Sequence, residues 1–82
     1  MSLPMPHYFF NIVNDDVTDD PEGAELADDA AAHAYAVRAA RSLAADTVSM
    51  GHLGLSHCIN IQNEAREAIG TVTFGDAIKI TP

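Results

Sequence analysis

The most prominent chemistry in the chain is carboxylate. Asp15, Asp16, Asp19, Asp20 and Glu22 crowd one segment that also holds Pro21 and Gly23. Such a run offers hard oxygen ligands of the kind a Ca²⁺ ion gathers in numbers. An EF-hand phasing fails, however. Counted from Asp16, Pro21 falls at the required glycine and Ala27 at the bidentate acid. These five acids are the metal candidates of the chain, but the segment reads first as a solvated loop. On that reading no metal or cofactor is expected. Changing Asp15, Asp16, Asp19 and Asp20 to asparagine should leave stability unchanged or slightly raised, by easing repulsion.

Nucleophiles and bases are scattered. The four histidines are His7, His33, His52 and His57. His57 and Cys58 are neighbours on a predicted strand, so their side chains point to opposite faces and cannot share an ion. Cys58 would need a base to act as a nucleophile, and no motif supplies one. Gly51-His52-Leu53-Gly54 lacks the lysine and the following helix of a phosphate loop. Arg38 and Arg41 with Tyr35 read as a solvated helix face rather than a recognition patch. No catalytic or cofactor-binding residue emerges, and the chain is read as non-enzymatic.

Charge narrows the partners. Twelve acids against four bases over 82 residues give a net charge of −8. Residues 1–37 hold eight acids and neither Lys nor Arg, while residues 38–82 hold four of each. This is the wrong sign for a phosphate backbone or an anionic membrane, so neither nucleic acid nor membrane is an expected partner. No apolar run approaches the ~18 residues that span a bilayer. A single cysteine permits no internal disulfide and fits a cytoplasmic location.

The elements that must position these residues follow from periodicity. Residues 1–5 read as a leader or disordered start, and 6–82 as one small domain, too short for two cores. His7 to Val13 is aromatic and β-branched, a strand with Tyr8, Phe10 and Ile12 facing the core and Phe9, Asn11 and Val13 facing away. Glu25-Leu26 suggests a short extended piece. Asp28 to about Met50 is a helix, capped by Asp28 or Asp29, with Ala32, Ala36, Ala39, Ala40, Leu43, Thr47 and Met50 as its buried stripe and Gly51 as its stop. Ser56 to Gln62 and Ala68 to Phe74 alternate as strands around the polar connection 63–67, and Ile78 with Ile80 suggests a last short strand. The expected architecture is α+β: a β-α-β-β order with one alanine-rich helix on a three- to four-stranded, mainly antiparallel sheet. A right-handed crossover and a strand order of second, third, first are expected.

The opening Met5-Pro6-His7-Tyr8-Phe9-Phe10, the stretch Asp20-Pro21-Glu22-Gly23-Ala24-Glu25-Leu26, the alanine-rich helix and the ending Phe74-Gly75-Asp76-Ala77-Ile78 form a set. That set resembles a family of small bacterial proteins known only as a domain of unknown function, and it covers nearly all the chain from Met5. The chain departs from the pattern with His57 where an aromatic is usual, and without the usual hairpin glycine near Arg66. The resemblance implies a fold but no activity. Two functional classes follow. The first is an interaction or regulatory module that acts as a homodimer, with an unknown protein partner. The second is an accessory protein that binds a small ligand or divalent cation through the acidic loop. The aromatic first strand and acidic, alanine-rich helix are also similar to HicB-type antitoxins, in which more strands precede the helix. For the homodimer, Phe9, Val13 and Ile69 on the second sheet face and Ile78 and Ile80 at an edge are the expected contacts.

Overall fold

Strand-forming residues open the domain, and the sheet is built outward from them. The computed structural model describes residues 5–14, 16–51, 54 and 56–78. Strand β1 is His7–Val13, followed by two-residue strands β2 (Val17–Thr18) and β3 (Ala24–Glu25). Helix α1 (Asp29–Ser49) leads to β4 (Cys58–Gln62), β5 (Ala68–Thr73) and a single helical turn, α2 (Phe74–Ala77). The sheet order is β2-β1-β4-β5, with β3 also pairing β1, and every pairing is antiparallel. The fold is α+β.

Two expectations about the sheet change. The first long strand lies beside the second, not beside the third. Because β1 and β4 are antiparallel, the handedness rule for parallel crossovers has nothing to act on. The physical reason for the order lies in burial. The inner strands carry the bulkiest apolar residues, Tyr8 and Phe10 on β1 and Ile59 and Ile61 on β4, all buried. The edge goes to β5, whose one fully buried residue is Val72, with Ile69 partly buried beside Gly70 and two threonines. The acidic segment is also not wholly loop: it contributes β2 and β3, which makes five strands among the described residues.

Helix α1 begins where its sequence says it should. The Asp28 carboxylate accepts the Ala31 N–H at 2.8 Å as the N-cap. Its fully buried residues are Ala32, Ala36, Ala40 and Ala44, each at most 1% exposed. This row follows the slanted ridge of every fourth residue, not the axial stripe. Hence Ala44 is core although the expected stripe omitted it, and Met50, expected inside, is 71% exposed past the helix end. Val37, Ala39 and Leu43 flank the ridge. Methyl side chains let the helix lie close to Tyr8, Phe10, Ile59, Ile61, Val72 and Phe74.

The C-terminal segment differs from expectation as well. After Val72 the chain turns into α2, whose N-cap hydroxyl, Thr73 Oγ1, accepts the Asp76 N–H at 3.0 Å. Gly75-Asp76 therefore sits inside a turn of helix. Ile78 closes that turn in an extended conformation and packs on the core, and the rest of the expected last strand lies outside the described residues. Arg41 Nε donates to the Ala77 carbonyl at 2.7 Å and ties α2 to α1. Ile80 lies outside the described residues.

Candidate functional site

The site grows from a gap in the sheet edge. β2 pairs with Ile12 and Val13, and β3 pairs with His7 and Tyr8, so the middle of β1 has no strand on that side. An unpaired N–H there would be costly. The Asp20 carboxylate fills the gap: Oδ2 accepts the Phe10 N–H at 3.2 Å, and Oδ1 accepts those of Glu22 and Gly23 at 3.1 and 2.9 Å. Asn11, buried at 6% exposure, answers by accepting the Asp20 N–H at 2.9 Å. The acidic segment is thus an arch pinned to β1 at both feet and at its crown.

One acid of the arch, Asp20, is therefore a structural acceptor and not merely a solvated charge. Partial burial would raise the Asp20 pKa. The N–H groups of Gly23, Phe10 and Glu22, with the Arg66 charge, outweigh it and hold the carboxyl below its ordinary value. The signal was present in the sequence. Asp at the first position, Pro at the second and Gly at the fourth, as in Asp20-Pro21-Glu22-Gly23, is a turn signature. Gly23 has φ +67°, and a side chain there would collide with the Tyr8 carbonyl and the His7 ring.

Behind the arch lies a groove of about 430 Å³. Phe10, Ile12, Leu43 and Ile59 form its apolar walls, Tyr35 and Ser42 come from the helix side, and Asp19, Asp20 and Pro21 from the arch. The Tyr35 ring stacks obliquely on Phe10, centroids 4.5 Å apart. At the far end of β1 the Tyr8 hydroxyl donates to Asp29 Oδ1 at 2.7 Å. That bond, then desolvation and the negative charges of Asp29 and Asp28, push the phenol pKa up to about 12.

The other candidate residues do not converge. Asp15, His52 and Leu53 lie outside the described residues. Asp16 turns its backbone to Asn14, and Glu22 offers its carbonyl to the His7 ring at 2.5 Å. Among the described residues no three of His, Cys, Asp and Glu meet in a metal-holding group. His33 is exposed, while His57 sits edge-on to Phe74 at 5.9 Å. The Cys58 thiol faces Asn60 Oδ1 at 4.0 Å. Arg41 is committed to α2 and Tyr35 to Phe10, so these two do not form one patch with Arg38.

On the second sheet face, Phe9 is covered from within the chain. The Arg66 guanidinium lies 3.4 Å from its ring centroid, and His7 is 5.0 Å away. Arg66 itself has φ +65°, in the left-handed region where glycine is usual, so the missing hairpin glycine is replaced by a strained arginine with a use. Ile69, expected on this face beside half-buried Val13, packs against the core, next to the register shift at Ile61/Gln62.

One long helix over an antiparallel sheet, with an acidic arch closing one edge, defines the class: a small α+β domain. Within that class the chain belongs to the family described as a domain of unknown function (DUF6894), which matches residues 7–75. The matched span runs from the start of β1 into α2 and contains the arch and the groove whole. No curated protein and no solved structure matches the chain. Among the described residues no helix is long and apolar enough to cross a membrane.

Proposed function

We propose that this domain is a non-enzymatic interaction module that takes an apolar side chain of a basic partner protein into the groove behind the arch. The observation that carries this reading is the pairing of apolar walls (Phe10, Ile12, Leu43, Ile59) with an acidic rim that includes Asp19. The rim belongs to the half of the chain that holds all the net charge. Apolar floor and like-signed rim are what a cationic, amphipathic surface finds complementary, the floor giving affinity and the rim steering encounter. The same charge argues against nucleic acid as a direct partner. A HicB-like antitoxin role would be one instance of such a module, on fold-level analogy. The cation alternative has less support, since three N–H groups already occupy the Asp20 carboxylate.

A pull-down from the native host tests this. The exposed Ser42 on the groove wall becomes arginine in Ser42→Arg, which lays a cationic stem across the mouth. The wild type should retain basic proteins that elute with salt, and Ser42→Arg should lose them. Equal capture by both, or a captured set that is not basic, refutes the reading. A Ca²⁺-dependent rise in melting temperature would favour the cation reading in its place.

A further inference from the structure

The two edges of the sheet are finished differently. At the β1 edge, β2, β3 and the Asp20 carboxylate together cover the strand. At the other edge β5 runs Ala-Ile-Gly-Thr-Val-Thr, with neither a charge nor a proline to discourage pairing. Among the described residues nothing pairs with its outer side.

The ladder says which groups point outward. The Phe10 N–H is directed to Asp20 and away from β4, so by alternation its partner Ile61, and likewise Ile59, turn their backbone groups toward β5. Their partners Gly70 and Val72 then point inward, and Thr71 and Thr73 point outward. The Phe74 N–H, which donates to the His57 carbonyl at 2.8 Å, fits the same alternation.

We infer that β5 pairs antiparallel with β5 of a second copy of this chain, across a two-fold axis near Thr71, joining the two sheets into one. This is independent of the groove. Electrostatics select a second copy as the occupant. Residues 38–82, which include β5, hold four acids and four bases, whereas residues 1–37 hold eight acids and neither Lys nor Arg, and five of those acids, Asp16, Asp19, Asp20, Glu22 and Glu25, lie along the arch at the opposite edge. Two copies meeting at β5 bring their neutral halves together and hold the repelling halves apart. A two-fold axis sets each residue against its own kind or a near neighbour. An uncharged strand tolerates that, and a Thr71–Thr71 pair is favourable across antiparallel strands. A strongly charged partner strand would find no countercharge on β5. The chain also has reason to assemble, because 82 residues with a row of alanines at the heart of the core bury little apolar volume per residue.

Light scattering and sedimentation on the full chain at tens of micromolar test this. The wild type should have twice the 8.7 kDa of one chain. Thr71→Pro removes an outward N–H and leaves the backbone ladder to β4 intact, giving up, as Thr71→Lys also does, the hydroxyl bond to Asn60 Oδ1, and proline is tolerated at just such edge positions. Thr71→Lys sets like charges beside the axis. Each should weaken the dimer at least tenfold with an unchanged circular dichroism spectrum, and Thr71→Lys alone decides the matter if the proline variant does not fold. Phe9→Ala, on the second sheet face under Arg66, should leave the dimer intact. A monomeric wild type, folded Thr71 variants that remain dimeric, or a dimer lost by Phe9→Ala overturns the inference.

Discussion

Replacing Asp20 with asparagine changes one oxygen of the arch into an NH2 group, and the structure sets the consequence. The amide carbonyl can take the place of Oδ1 and keep the Glu22 and Gly23 N–H groups, now as neutral bonds. The NH2 must then face the Phe10 N–H, donor against donor. A bond to a charged group contributes ~1.5–3 kcal/mol and a neutral one ~0.5–1.5, so weakening two costs about 1–3 kcal/mol. Stranding the Phe10 donor adds about 1–2 kcal/mol. Asp20 is only half-buried, which favours the lower ends, and relief of repulsion among the acids returns a few tenths. The expected net loss is about 2–3 kcal/mol, a large part of the ~5–15 that holds a small domain folded. With a urea slope near ~1 kcal/mol per molar, the midpoint should fall by about 2 M. Asp19→Asn, on the same arch without these bonds, should stay within about 0.5 kcal/mol of wild type. The pH dependence has a definite sign. The folded Asp20 pKa lies below its unfolded value, so its contribution is present above pH ~4 and fades as pH falls through the folded value. The gap between wild type and Asp20→Asn should therefore narrow in acid. Equal midpoints for the Asp19 and Asp20 variants at pH 7 would refute the account of the arch.

Three further outcomes are expected. Tyr8 is raised to about 12 by its bond to Asp29, so its stabilisation is full below pH ~10 and lost as pH climbs through 12; Tyr8→Phe should flatten that alkaline limb in a pH series of thermal melts. Arg66→Gly relieves left-handed strain of about 1–2 kcal/mol and loses a cation–π contact of about 0.5–1, so it should be neutral or stabilising in urea, whereas Arg66→Ala keeps the strain, loses the contact and should cost about 0.5–1 kcal/mol. Ala40→Leu forces a larger side chain into the helix–sheet contact and should cost about 1–3 kcal/mol or abolish folding, and a wild-type melting temperature for it would disprove the close packing.

What the sequence determined by itself is what short range decides. Aromatic and β-branched alternation placed β1 and its inward Tyr8 and Phe10, and Asp28 and Gly51 marked the ends of α1 to within a residue or two. Alternation likewise found β4 and β5, and the familial motifs pointed to the family that residues 7–75 match. What only the tertiary structure decided depends on residues far apart in the chain. The strand order turned on which strands bury the most, and the helix face on the angle at which its i+4 ridge meets the sheet, which sends Ala44 inward and leaves Met50 in water. The arch shows the difference best. Its acids look alike in a row, and composition reads them all as solvated charge. Only the gap between β2 and β3 beside Phe10 singles out Asp20, because a carboxylate acquires a structural role from the N–H groups that three-dimensional pairing leaves for it to accept.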